Sequence, residues 1–280
     1  MRMPEPDQSV LAARDTLIAS LQSIVAEEGV IWSENQLKAY ESDGLTAYRQ
    51  LPLVVVLPED TRQVSEILKI CSEHGAKVVP RGAGTSLSGG ALPLADGVLL
   101  GLGKFNRILE IDYENRCAVV QPGVSNLAIS EAVADQGFYY APDPSSQIVC
   151  SIGGNVAENS GGVHCLKYGV TTNNILGLEI VLMSGEIIRL GGKHLDPEVY
   201  DLMRVMTGSE GLLGVITEVT VRILKRPELA RAVLVGFPEL EDGGQFVADL
   251  IGAGIIPAGM EMMDKPATHA AEEYCQAGYP

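Results

Sequence analysis

The stretch Ser151-Ile152-Gly153-Gly154-Asn155-Val156-Ala157-Glu158-Asn159-Ser160-Gly161-Gly162 decides how this chain is read. Small side chains persist for a dozen positions, interrupted mainly by amides and one carboxylate. Glycine lets a backbone approach a ligand closely and adopt positive φ. The run therefore reads as a loop against which a large flat ligand can lie, its Asn amides available to a heterocycle edge. It follows Pro142-Asp143-Pro144-Ser145-Ser146, whose prolines stiffen the entry. A solvated surface loop is the plainer reading, but a long structureless loop in a compact domain is usually functional.

Two more glycine-rich segments flank it. Upstream, Pro80-Arg81-Gly82-Ala83-Gly84-Thr85-Ser86-Leu87-Ser88-Gly89-Gly90 follows a strand. Consecutive N–H groups there can form an anion-binding nest, with hydroxyl donors beside them. It is not a dinucleotide fingerprint, because Leu87 stands where the third Gly belongs, and not a Walker A loop, because Gly90-Ala91 replace Lys-Ser/Thr. Downstream, Gly208-Ser209-Glu210-Gly211-Leu212-Leu213-Gly214-Val215-Ile216 runs from a helix end into a strand, where glycine also serves as a plain helix cap.

Composition narrows the class. With 280 residues, 46% of them hydrophobic, and a mean hydropathy of +0.16, the chain is globular and long enough for about two domains. Its net charge of −16 has the wrong sign for a general nucleic-acid or anionic-membrane surface. An anion must then be met in a local pocket. Glycine, 31 residues, exceeds the usual ~7%, and much of the excess lies in the three segments above. The five cysteines form no CxxC pair and read as reduced thiols. No signal peptide or membrane span is read, so a cytoplasmic location is expected, with association through a partner subunit left open. The four histidines form no ligand pair, and no metal site is expected in this chain.

Periodicity places the elements. Apolar spacing predicts a helix over 9–28, a strand at Leu53–Leu57, a helix from Thr61 to Gly75 and a strand at Lys77–Pro80, a βαβ unit. Strands follow at Val98–Leu102, Ile108–Ile111 and Cys117–Gln121, then a helix at Asn126–Ala134 capped by Ser125. Leu178–Met183 and Glu186–Leu190 form a hairpin about Ser184-Gly185. Asp196–Val205 reads as helix, and Val215–Ile223 alternates as a strand. After the polar break at Lys225–Glu228, strands are expected at Ala232–Phe237 and Ala258–Met263 around a helix at Gly244–Ile251. That second core looks unfinished, which suggests a fragment.

Together the three segments resemble the FAD-binding domain of the PCMH-type (vanillyl-alcohol-oxidase) flavoproteins. The string Gly153–Gly162 followed by His164-Cys165-x-Lys167-Tyr168-Gly169 is similar above all to the FAD-linked subunit of glycolate oxidase and its D-2-hydroxyacid dehydrogenase relatives. Pro257-Ala258-Gly259-Met260-Glu261-Met262-Met263-Asp264 looks like the opening of their C-terminal oxidase domain. The resemblance implies an α+β fold: an N-terminal helical segment (1–46), a PCMH-type domain of two α/β subdomains (47–226), and the incomplete start of an α+β substrate domain (227–280).

It implies FAD on Arg81, Gly82, Ala83, Gly84, Thr85 and Ser86 at the pyrophosphate; on Pro142, Asp143, Ser146, Gly153, Gly154, Asn155, Asn159, Ser160 and Gly161 along the pyrophosphate, ribityl and ring side; and on Glu210, Gly214, Val215 and Ile216 at the ribose and adenine end. Thr85 stands where some members carry a flavin-linking His, so noncovalent FAD is expected. The implied reaction takes a (2R)-hydroxy acid of the glycolate or D-lactate type to the 2-oxo acid, by hydride transfer to flavin N5. The catalytic base, substrate arginine and metal site of these relatives lie in the part beyond this chain, which alone is expected to be inactive. An iron-sulfur subunit is among the implied partners. The rival readings are a noncatalytic FAD-binding subunit and another PCMH-type enzyme, such as the FAD subunit of a molybdenum hydroxylase.

Overall fold

The computed structural model describes residues 3–194 and 200–279. Helices Gln8–Ala12 (α1) and Arg14–Gln22 (α2) precede strand Val30–Ile31 (β1), the short helix Glu34–Leu37 (α3), strand Val54–Val56 (β2), helix Thr61–Glu73 (α4) and strands Lys77–Arg81 (β3) and Gly97–Gly101 (β4). The sheet order is β1-β2-β4-β3, with β4 parallel to both β2 and β3. The expected strand-helix-strand unit is present, with β4 between its two strands. α4 is capped by Asp60, which accepts from Gln63 N at 2.8 Å. Its buried Val64, Ile67, Leu68 and Cys71 pack in one core with Leu17, Leu21, Val54, Val56, Val98 and Leu100. The predicted helix over 9–28 is broken at Ala13 and stops at Gln22. The apolar spacing runs on past the break because Val25 and Val30 bury in that same core as non-helical chain.

The second layer holds Ile108–Asp112 (β5), Cys117–Val120 (β6), helix Asn126–Val133 (α5), Phe138–Tyr139 (β7), helices Ile152–Glu158 (α6) and Cys165–Tyr168 (α7), strands Ile175–Val181 (β8) and Ile187–Gly191 (β9), helix Leu202–Met206 (α8), and strands Val215–Arg222 (β10) and Leu224–Lys225 (β11). β5-β6-β10-β8-β9 form an antiparallel sheet, and β11 pairs with β7. Ser125 caps α5 as read from the sequence. The hairpin between β8 and β9 turns at Gly185, φ +81°. The first four residues of the helix predicted over Asp196–Val205 fall outside the described residues; of the remainder, Leu202–Met206 is helical.

The alternation along β10 predicts one wet face, yet six of its eight residues are buried. Helices α5 and α6 contribute Ile129, Val133, Ile152 and Val156 to the core on this sheet, while α4 of the first layer meets β8. The junction between layers is polar: buried Glu179 accepts from Thr61 Oγ1 at 2.8 Å and Thr217 Oγ1 at 3.0 Å and pairs with Arg189 at 2.5 Å, while Ser65 Oγ donates to Gly185 O at 2.5 Å. At the sheet margins Lys193, just past β9, reaches Glu110 and Asp112 of β5 at 2.5 and 2.8 Å.

The strands expected at Ala232–Phe237 and Ala258–Met263 do not form. A strand needs a hydrogen-bonding neighbour, and neither segment has one among the described residues; Val233 and Met262 are exposed. Helices Leu240–Gly252 (α9) and Lys265–Cys275 (α10) are present. No helix among the described residues is long and apolar enough to cross a membrane.

Candidate cofactor site

The three glycine segments converge on one open cleft of about 240 Å³. All of Arg81 to Ser86 line it, together with Ser146, Gly153, Gly154, Asn155, Ser160, Glu210, Gly214 and Ile216. Pro142, Asp143, Asn159, Gly161 and Val215 stand outside its wall. Val215 is buried in the core between the two sheets. Pro142 O accepts from Asn126 Nδ2 at 3.0 Å. The Asp143 carboxylate lies 2.6 Å from the His164 ring, giving that histidine a hydrogen-bonding partner. Gly161 packs against Cys165 and Val170.

The loop after β3 carries the strongest chemical signal. The N–H groups of the six residues Gly82 to Leu87 donate to no protein acceptor among the described residues. Unpaired N–H groups are costly unless water or a ligand takes them. Gly84, at φ +72°, bends the loop as a nest requires. Its ends are pinned: Asp43, buried, accepts from Gly89 N at 3.1 Å, and Gly44 N donates to Ser86 O at 3.0 Å.

Arg81 turns away from the role of a phosphate counter-charge. Its Nη1 donates to the carbonyls of Tyr40, Ser42 and Ala91 at 3.2, 2.8 and 3.2 Å. A Cβ at Gly84 would sit 2.3 Å from its Nη2, so the loop closes over the guanidinium. Burial pulls the Arg81 pKa below its ordinary value, with the Asp43 carboxylate opposing that shift. The group remains a cation, used as a strut.

The Ser151–Gly162 stretch is not a loop. Ile152–Glu158 is α6, capped by Ser151 Oγ on Gly154 N at 3.3 Å and ended by Asn159 at φ +51°. Residue spacing hid this, because glycines at the second and third helical positions read as loop. The helix start offers few free donors: Ile152 N bonds Val124 O and Gly153 N bonds Pro122 O, both at 2.8 Å. The glycines serve close approach instead. A Cβ on Gly153 would lie 2.5 Å from Pro122 Cβ, and one on Gly82 would lie 2.0 Å from Ser151 Oγ. The Asn amides expected to face a heterocycle are also engaged within the protein. Asn155 accepts from Asn126 at 2.9 Å and donates to Cys150 Sγ at 3.3 Å; Asn159 Oδ1 accepts from Thr172 N at 2.9 Å.

The third segment caps the far end of α6. Gly208 N and Glu210 N donate to Val156 O and Ala157 O at 2.8 and 2.9 Å, which holds Glu210 at φ +53°. Sequence reading missed Ser151, Glu158, Pro122, Cys150 and Gly90 in the cleft wall. Ser151 was visible as a cap, and Glu158 lay inside the quoted string.

Residues 52–191 match the family described as FAD binding domain, and residues 226–280 match FAD linked oxidases, C-terminal domain. The chain belongs to the PCMH-type FAD-binding flavoproteins. The free donors of the Gly82 loop and a cleft wall built largely of glycine, alanine and serine fit a diphosphate and a flat ring, so the cleft of this flavoprotein is chemically suited to FAD. Among its relatives, the glycolate oxidase subunit GlcD of Escherichia coli is 53% identical over 95% of this chain and 54% of its own length. GlcD of Bacillus subtilis is 46% identical over 86% of this chain and 52% of its own. A D-lactate dehydrogenase of Archaeoglobus fulgidus is 37% identical over 79% and 49%. The flavoprotein chain thus spans about half the length of these relatives. A solved alkyldihydroxyacetonephosphate synthase, 18% identical, superposes with a TM-score of 0.75 over 92% of this chain and 48% of its own, which establishes the likeness of fold.

Proposed function

We propose that this chain supplies the FAD site of an enzyme that oxidises a (2R)-hydroxy acid, of the glycolate or D-lactate type, to the 2-oxo acid. The observation that carries the reading is the row of N–H groups from Gly82 to Leu87 that have no protein acceptor among the described residues, on residues that line the cleft the other two glycine segments complete. The hydroxy acid is supported by the relatives named glycolate oxidase subunit and D-lactate dehydrogenase. FAD, when bound, supplies the acceptor of the substrate's hydride. The chain's own residues hold it: Gly82–Ser86 on the diphosphate, Ser146, Gly153, Gly154, Asn155 and Ser160 beneath the ribityl and ring, and Glu210, Gly214 and Ile216 at the adenosine end. Pro142, Asp143, Asn159, Gly161 and Val215 support this shell from behind.

Thr85 has no nucleophilic ring nitrogen to link the flavin, so the binding is noncovalent. The division of the chain follows as 1–46, 47–226 and 227–280, the last being the opening of the substrate domain. The whole protein works in the cytoplasm, or at a membrane through partner subunits that include an iron-sulfur carrier.

The test is direct. The purified chain, mixed with FAD and desalted, retains a flavin spectrum that acid precipitation releases. Anaerobic glycolate or D-lactate leaves that spectrum unchanged in this chain and bleaches it in the full-length protein. A chain that retains no flavin refutes the cofactor site. Full-length protein that is never bleached by either acid favours the noncatalytic FAD-binding reading.

A further inference from the structure

The cleft that offers six free donors to an anion also carries two carboxylates. A Cβ placed on Gly90 would lie 2.9 Å from Glu158 Oε1 and 3.7 Å from Glu210 Oε2, so both acids converge on one point of the wall. Both line the cleft. Glu158 ends α6, and Glu210 is held beside it by the bond from its own N–H to Ala157 O. The charged and polar groups facing Glu158 come from two other segments: the Ser86 hydroxyl from the loop after β3, and the Glu210 carboxylate from the loop before β10. Arg81, the cation of the first loop, directs its Nη1 at three carbonyls and is not among the groups that shift Glu158.

A dianionic diphosphate entering this cleft would meet two negative charges. A like charge a few ångströms away disfavours the ionised form and raises the pKa of the group beside it. Glu158 is the acid poised to take a proton. Burial raises its pKa above the ordinary value; the Ser86 hydroxyl opposes this, and the charge of Glu210 adds to it.

We propose that Glu158 is a ligand of the bound cofactor in its neutral, protonated form, so that loading FAD takes up one proton at this side chain. This rests on the FAD site proposed above and extends it to a residue outside that set. The proton comes from solvent and is held between the Glu158 carboxyl and the diphosphate or its hydration.

The sign follows from linkage. The pKa of Glu158 is raised in the free chain and raised further beside the diphosphate. Below the free-state value the acid is neutral in both states and affinity is highest. Between the two values Kd rises by up to about tenfold per pH unit, the slope of a one-proton linkage. Above the bound-state value it is weak and level.

The experiment is FAD titration of the 280-residue chain by flavin fluorescence from pH 5 to 9, with calorimetry at pH 7 in two buffers of different ionisation enthalpy. The wild-type chain is expected to take up protons on binding FAD, never more than one per site from this side chain, and to bind more weakly as pH rises. Glu158→Gln is expected to take up none and to bind with a flat profile. Glu210→Gln lowers the window by removing the neighbouring charge, and it serves if Glu158→Gln does not fold. FAD binding with no proton uptake, or an unchanged profile in Glu158→Gln, overturns this inference and leaves the FAD site standing. Binding that tightens with Mg2+ and takes up no proton overturns it as well. No FAD binding at any pH removes both.

Discussion

Replacing Gly82 by alanine should disturb one identifiable atom. The new Cβ would lie 2.0 Å from Ser151 Oγ and 3.2 Å from Ser151 Cβ. The hydroxyl must therefore leave, or the loop must lift away from α6. The hydroxyl now caps Gly154 N at 3.3 Å, and losing a serine cap costs about 1 kcal/mol. Alanine at a glycine of ordinary φ returns roughly 0.4–1 kcal/mol through the unfolded chain. The single variant should thus change fold stability little while it displaces the donor row. FAD affinity should fall at least tenfold, or about 1.4 kcal/mol. Ser151→Ala alone removes the cap but leaves the loop seated, so its FAD affinity should stay near wild type. In the double variant the clash is gone, the remaining 3.2 Å contact being tight but tolerable, and affinity should return to that of Ser151→Ala. The assay is a double-mutant cycle on the FAD Kd, with urea midpoints as the control. Additive losses, with no recovery in the double variant, would refute the claim that Gly82 is required for approach to Ser151.

Other consequences can be checked in parallel. Glu179→Ala strips the acceptor shared by Thr61, Thr217 and Arg189 and should cost about 2–3 kcal/mol, since hydrogen bonds to a buried charge are worth ~1.5–3 kcal/mol and Arg189 stays solvated; a urea midpoint within error of wild type would contradict the junction described. Arg81→Lys places an ammonium where a fork reaches three carbonyls, so FAD should bind about tenfold more weakly while the far-ultraviolet spectrum is unchanged. The thiol of Cys71 is pushed up to about 12 by burial, whereas Cys275 is exposed; at pH 8 a thiol reagent should modify Cys275 rapidly and Cys71 only after denaturation.

Much of the fold was legible because burial here follows regular spacing. Val54–Val56, the α4 face and the hairpin at Ser184-Gly185 all stand within a residue or two of where periodicity put them. The second sheet was harder. Thr217 shares the apolar face of Val215, Val219 and Val221, and Glu179 is a carboxylate inside a buried strand; that the two meet Thr61 at the junction between layers depends on the position of α4, which strand spacing does not reveal. The site was legible as composition but not as conformation. Gly153 and Gly154 disfavour a helix by propensity, and the close approach of Pro122 is what requires Gly153 inside one. Arg81 and the two asparagines were read as ligand-facing because side-chain chemistry can be seen in a sequence, whereas the carbonyls and amides that engage them come from segments distant along the chain. In the C-terminal part, the apolar runs at 232–237 and 258–263 have strand character but no neighbour to pair with among the described residues.

The link from Lys193 to Glu110 and Asp112 has a bearing on how the molecule behaves in a crowd. The two outermost strands of a five-stranded antiparallel sheet are ordinarily a template on which a foreign strand can be added. Here an ammonium from just past β9 is joined to two carboxylates of β5, and charged side chains on outer strands disfavour the addition of a foreign strand. The five-stranded sheet therefore carries at both outer strands a feature that discourages self-association.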